Sequence, residues 1–202
     1  DRIKVKYALS PYRSSQIIYD KFKLYQFLCE NKICNLKWFK INDLNNLTNL
    51  VNKEFINKRC IIKPSKSTGA RNSIIINNKL KKIQILNNRN FIAGNLKLIK
   101  EYIIKKKINL KGMLLMEYLE GSTYDVDIVS KNGKKIVIVS RLRIWKNKFS
   151  PVSEGCEIVT HKNIEKLVEK ILSKLKLNGP CDLDIIEKNN KLFIIDASCR
   201  LS

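Results

Sequence analysis

The sequence predicts an α+β fold. Stretches with helical spacing of apolar residues recur near 14–30, 95–107 and 163–177. Short apolar runs of strand length lie between and after them, giving the order helix, strands, helix, strands, helix, strands. That order suits an α+β or mixed α/β enzyme-like body. The chain has 202 residues, 44% of them hydrophobic, which is enough for one or two packed cores.

The first helical stretch places Ile17, Ile18, Phe22, Tyr25, Phe27 and Leu28 at helical spacing. A polar, Asn-rich stretch follows at 42–53. Cys60-Ile61-Ile62 reads as a short buried strand, stopped at Lys63-Pro64. Ser65 to Asn72 is nearly all small or basic and reads as a loop, after which Ser73 to Ile76 resumes as a strand. The helix at 95–107 ends on Lys105, Lys106 and Lys107, which complement the helix dipole. Gly112 to Tyr118 is strand-like. Strands at 124–130 and 135–143 flank Asn132-Gly133, a strong hairpin signal. Residues 163–177 form an amphipathic helix with Ile164, Leu167, Val168, Ile171, Leu172 and Leu175 on one stripe. A last hairpin runs through 181–187 and 191–198.

The formal charge of +22 is read as compositional bias. Lys, Ile and Asn, the residues of A/T-rich codons, make up 83 of the 202 residues, and no nucleic-acid motif accompanies the excess. Nucleic acid is therefore not the expected partner. No apolar run approaches the roughly 18 residues of a membrane span, so no membrane partner is expected either. No long apolar signal core opens the chain, and Asp1 stands where an initiator Met is usual, the latter reading as a fragment or an internal piece. The six cysteines form no C-x-x-C pair, and His161 is the lone histidine. Reduced thiols in a cytoplasmic protein are the expectation, and a zinc site is not.

The last hairpin carries the first candidate chemistry. A two-residue turn at Asn189-Asn190 would pair residue 184 with 195 and put Asp184 and Asp196 on opposite faces. A three-residue turn at 189–191 would pair 184 with 196 and 182 with 198. Asp182, Asp184, Asp196 and Ser198 would then share one face. Leu183, Ile185, Phe193, Ile195 and Ala197 would make the other almost wholly apolar. Burying one clean apolar face favours the second register. Two carboxylates directly opposite repel unless a hard cation such as Mg²⁺ joins them. Without a ligand the same pattern is a polar edge of solvated acids, and both readings stand on these residues. Similarly, the loop after Lys63 leaves backbone amides open and suits phosphate, or is a surface turn.

Taken in order, these segments resemble the ATP-grasp superfamily, particularly the branch of the carbamoyl-phosphate synthase large chain. The resemblance rests on Ser10-Pro11, Asp20-Lys21, Ile62-Lys63-Pro64 with its small-residue loop, and Met116-Glu117-Tyr118-Leu119-Glu120-Gly121. It continues through Tyr124 to Asp127, Ser140-Arg141-Leu142-Arg143, Gly179-Pro180-Cys181, and Phe193-Ile194-Ile195-Asp196-Ala197-Ser198-Cys199-Arg200. It implies an ATP-grasp fold of two α+β lobes with ATP between them. The implied division is an N-terminal part of the large lobe at 1–57, a small lobe with the phosphate flap at 58–119, and a C-terminal lobe with the metal-binding hairpin at 120–202.

The resemblance also implies roles. Lys21 and Lys63 would touch nucleotide phosphates. Ser67, Thr68, Gly69, Ala70 and Arg71 would belong to the flap over them. Glu117, Tyr118 and Leu119 would hold adenine. Asp184, Asp196 and Ser198 would hold Mg²⁺, or Mn²⁺ in its place. Arg200, and Arg143 on the same side, would face the developing acyl phosphate. The implied function is the ATP-binding domain of an ATP-dependent carboxylate–amine ligase or carbamoyl-phosphate-synthase-like enzyme. Its partners would be small-molecule carboxylates and amines, with a substrate domain elsewhere in the protein or on another chain. The sequence departs from the family at Thr123, where a ribose-binding Glu is common, and at Ser198, where Asn is usual. Those departures point to the alternative, a degenerate non-catalytic nucleotide-binding module.

Overall fold

A computed structural model describes residues 9–34, 36–66, 71–145 and 153–200. Helix α1 (Tyr12–Tyr19) is followed at once by α2 (Lys21–Glu30). Asp20 separates the two: its backbone is extended, and its side chain accepts a hydrogen bond from the Phe22 amide as the N-cap of α2. The single helical stretch read at 14–30 is therefore two helices, because a capping residue interrupts an otherwise continuous apolar period. Next come β1 (Trp38–Lys40) and α3 (Leu44–Glu54). Helix α3 occupies the Asn-rich stretch, capped by Asp43, and buries only Leu47 and Val51, four positions apart on one face.

Strands β2 (Cys60–Pro64), β3 (Ile74–Ile76), β4 (Gln84–Asn87) and β5 (Phe91–Gly94) lead to α4 (Leu96–Lys105) and β6 (Met113–Glu117). Then follow β7 (Ser122–Lys131), β8 (Lys134–Ile144), β9 (Gly155–Val159), α5 (Lys162–Leu175), β10 (Gly179–Lys188) and β11 (Lys191–Ser198). Strands β1, β4, β5 and β9 had no counterpart in the sequence reading. Each is three to five residues long, too short for a period to register.

The chain forms two compact units. One takes α1, α2, β7 to β11 and α5; the other takes β1 to β6, α3 and α4. The second unit holds a six-stranded sheet in the order β1-β6-β2-β3-β5-β4. Its core gathers Leu47, Val51 and Phe55 around α3, Ile62 and Leu115 from the sheet, and Ile99 and Ile103 of α4. The first unit holds an antiparallel five-stranded sheet in the order β11-β10-β7-β8-β9. Here α5 buries Ile164, Val168, Ile171, Leu172 and Leu175, the stripe read from the sequence apart from Leu167. The β7–β8 hairpin turns through Asn132 and Gly133, both at positive φ, as the Asn-Gly signal requires. No helix among the described residues is long and apolar enough to cross a membrane.

At Gly121 the backbone passes close against β10. A Cβ there would lie 1.9 Å from the carbonyl oxygen of Glu187 on β10. Gly121→Ala is therefore expected to cost about 2 kcal/mol, since backbone cannot step aside as a side chain can. In thermal unfolding this is a fall of roughly 4–8 °C for a chain of this size. A fall under about 1 °C would mean that the 120–122 segment moves without penalty.

Candidate functional site

The site candidate is a carboxylate ladder on one face of the five-stranded sheet. In register, Asp196 of β11 lies opposite Asp184 of β10, and Asp184 opposite Asp125 of β7. Asp125 in turn lies opposite Arg141 of β8. The next row is Ser198, Asp182 and Asp127. Directly opposed residues share a face, so four strands deliver five aspartates, a serine and an arginine to one surface.

The register that aligns Asp184 with Asp196 arises differently from the three-residue turn expected. The turn has two residues, Asn189 and Asn190, both left-handed, between the paired Lys188 and Lys191. Near the turn Ile185 pairs with Ile194; past a bulge at Ile195, Asp184 pairs with Asp196. One extra residue on β11 shifts the register and brings the two aspartates side by side. The bulge also corrects the expected apolar face. Ile194, fully buried, joins Ile185 there, while Phe193 pairs with Ile186 on the other side. The carbonyl of Ile195 accepts a 2.7 Å hydrogen bond from the hydroxyl of the buried Tyr25. Burial, then the nearby Asp196, pushes that phenol well above its ordinary pKa.

Cations are built into the ladder. Arg143 donates from one guanidinium nitrogen to Asp125 and, at 2.8 Å, to Asp184. Arg141 pairs with Asp127 at 2.6 Å. Lys21, the first residue of α2 and 4% exposed, lies 2.9 Å from Oδ1 of Asp196. Asp125, Asp182 and Asp184 each bring a carboxylate oxygen within 4.8 Å of the other two. Oδ1 of Asp182 is buried and has no hydrogen-bond partner among the described residues. Burial and the repulsion of Asp125 and Asp127 push the Asp182 carboxyl up to about 7. Burial also raises Asp184, with Arg143 opposing. Converging carboxylates with one oxygen left unsatisfied are a donor set suited to a hard divalent cation, so these residues fit Mg²⁺ or Mn²⁺.

The elevated Asp182 carboxyl makes stability depend on pH. A folded-state pKa raised above 3.8 stabilises the fold at low pH, and this contribution is lost as pH rises through about 7. In metal-free buffer Asp182→Asn is therefore expected to melt with the parent near pH 4 and above it at pH 8. The difference should be a few degrees, about 1 kcal/mol. Equal melting temperatures at both pH values would show that Asp182 carries no such strain.

The other expected site residues are distributed as follows. Ser198 donates from Oγ to the carbonyl of Arg200 at 3.2 Å, and Arg200 is exposed. In the second unit, Lys63 sits half-buried on β2 opposite Leu114. Ser67, Thr68, Gly69 and Ala70 lie outside the described residues. Arg71 is exposed in a turn, and Asn72 beside it takes positive φ. Glu117 closes β6, its amide bonded to the carbonyl of Lys37. The amide of Tyr118 bonds to the carbonyl of Arg59, whose guanidinium lies 5.2 Å from the Tyr118 ring. Leu119 is buried.

Asp125, Asp127 and Arg141 join the ladder although none is among the expected site residues, and Asp182, expected on the shared face, joins it without an expected ligand role. Their signal was parity: Asp125 and Asp127 on one strand, Arg141 and Arg143 on the next, each two apart and so on one face. A smaller polar cluster lies elsewhere on this unit. The hydroxyl of Tyr124 donates to Oε2 of Glu187 at 3.0 Å, and Nε2 of His161 lies 3.4 Å from the same oxygen. His161 also caps α5, its Nδ1 accepting from the Ile164 amide.

Comparison with known proteins agrees with this architecture. Residues 109–202 match a family described as ATP-grasp in the biosynthetic pathway with Ter operon. A carbamoyl phosphate synthase large chain from Pseudothermotoga lettingae is 22% identical over 159 residues, covering 74% of this chain and 13% of the relative. Among solved structures, a D-alanine–D-alanine ligase from Bacillus anthracis superposes with a TM-score of 0.63 at 17% identity, covering 96% of this chain and 60% of that one. N5-carboxyaminoimidazole synthetase from Staphylococcus aureus, complexed with ADP, gives 0.69 at 12% identity, over 96% and 48%. The class that the fold defines is the ATP-grasp fold shared by these ligases, and the family matched over residues 109–202 is itself an ATP-grasp family. The particular family matched within that class, over residues 109–202, is the one of the Ter-operon biosynthetic pathway. The chain spans 13% of the curated relative and about half of the solved structures it resembles.

Proposed function

We propose that this chain is the ATP-binding domain of an ATP-dependent carbon–nitrogen ligase that works through an acyl phosphate. The observation that carries the reading is the convergence of Asp125, Asp182 and Asp184 within 4.8 Å, beside Arg143, on an ATP-grasp sheet. In the proposed reaction a substrate carboxylate oxygen attacks the γ-phosphorus of ATP, and ADP leaves. An amine then attacks the acyl carbon, phosphate leaves, and the amine gives up a proton. Positioning and charge neutralisation supply most of the rate in such transfers.

In this reading the carboxylates of Asp184 and Asp196 hold the divalent cation, with Ser198, Asp125 and Asp182 beside them. When bound, Mg²⁺ or Mn²⁺ neutralises phosphate charge. Lys21 pairs with phosphate. Arg143 and Arg200 meet the charge that develops on the transferred group. Within the second unit, Lys63, Arg71 and the Glu117–Leu119 segment keep the nucleotide roles that the resemblance implies. The acceptors are small carboxylates and amines, their binding domain lies elsewhere in the protein or on another chain, and the compartment is the cytoplasm. The relatives named D-alanine–D-alanine ligase and carbamoyl phosphate synthase support the class of reaction and leave the acceptor open.

Calorimetric titration of the intact protein with ATP and Mg²⁺ tests the reading. Saturable binding is expected; none would defeat it. A second reading, a module that binds nucleotide without turnover, is favoured by Ser198, whose hydroxyl bonds to the Arg200 carbonyl. Phosphate release across a panel of carboxylates and amines separates the two, since robust turnover excludes the second.

A further inference from the structure

Resting on that reading, we propose that Lys21 is a resident counter-ion of the metal site: its ammonium holds the Asp196 carboxylate until a nucleotide phosphate draws it away, so that divalent cation and nucleotide bind with positive coupling. Lys21 is 4% exposed and its Nζ lies 2.9 Å from Asp196 Oδ1. A buried ammonium is tolerated only when paired, and this carboxylate pairs it. The same Oδ1 also accepts from the Ala197 amide at 3.0 Å, so an incoming cation competes for an oxygen already engaged. One strand over, Asp184 and Asp125 share the Arg143 guanidinium. A divalent ion entering alone therefore meets two fixed positive charges on the carboxylates it needs. Polyphosphate reverses that balance, because its oxygens pair with the ammonium and the guanidinium and release the carboxylates. Coupling of this kind is reciprocal: the cation tightens nucleotide as much as nucleotide tightens the cation.

The test titrates Mn²⁺ into the intact chain and reads unbound Mn²⁺ by electron paramagnetic resonance, with and without ADP. Lys21→Gln retains a donor for Asp196 without the charge. It is expected to bind Mn²⁺ alone about tenfold more tightly than the parent, from the loss of one nearby like charge. Lys21→Arg, which keeps the charge, should stay near the parent. ADP should tighten Mn²⁺ binding to the parent by more than tenfold and to Lys21→Gln by far less. Unchanged or weaker Mn²⁺ affinity in a Lys21→Gln protein with parental circular dichroism and unfolding overturns the proposal. If that variant does not fold, the parent decides, because Mn²⁺ affinity indifferent to bound ADP overturns it equally. Failure of ADP to bind any form defeats the ligase reading, whereas the Mn²⁺-alone comparison still judges the counter-ion.

Discussion

Arg143→Met is expected to lower the unfolding free energy by about 3 kcal/mol, the largest stability loss of any single change on the ladder face. The guanidinium lies between Asp125 and Asp184, whose side chains are 12% and 23% exposed. Removing it leaves two largely buried carboxylates facing each other without a cation. Desolvation already raises Asp184, and Arg143 is the group that opposes this rise. In the variant, protonation of one carboxylate should relieve the repulsion, so its deficit should shrink toward pH 5. Arg143→Lys should fall between parent and Met, since an ammonium keeps charge but loses the fork that spans two partners. Denaturant unfolding at pH 8 and pH 5 measures all of this. A loss under about 1 kcal/mol at pH 8 would mean that the ladder is screened by water and not by Arg143.

On the proposed function, Asp184→Asn is expected to lower ATP-dependent phosphate release by about 10²–10³-fold, the scale of losing one preorganised electrostatic contact to a charge-developing centre. Asp184 occupies the middle of the ladder, opposite Asp196 on one side and Asp125 on the other. The amide keeps the shape and removes the charge that a hard cation requires. Ser198→Ala serves as the contrast: its hydroxyl already bonds to the carbonyl of Arg200, so its loss should cost less than tenfold. Equal effects of the two substitutions would move the proposed cation site away from β10.

Much of the ladder face could be read before folding because strands encode faces by parity. Asp182 and Asp184, then Asp196 and Ser198, stand two apart, and burial of Leu183 and Ile185 forces all four to the opposite face. The pairing of 184 with 196 followed from that same demand, yet the device behind it did not. For Asp184, Asp196 and Ser198 a three-residue turn and a two-residue turn plus a bulge at Ile195 give the same faces, since either places one extra residue between 184 and 196; only residues between the turn and the bulge change sides. Asp125, Asp127 and Arg141 escaped notice for another reason: nothing local says that β7 lies next to β10, more than fifty residues away in sequence. The salt bridge of Lys21 to Asp196, across the length of the chain, was invisible for the same reason.

By itself, the sequence determined the α+β class, the stripe of α5, the Asn-Gly hairpin and the shared face of the late aspartates, all of them consequences of local period and turn chemistry. Tertiary structure alone decided which strands became neighbours. That choice set Arg143 between two carboxylates and buried Lys21 against a third. Such pairings arise where separate segments bury their apolar faces together, and no spacing along one segment encodes them.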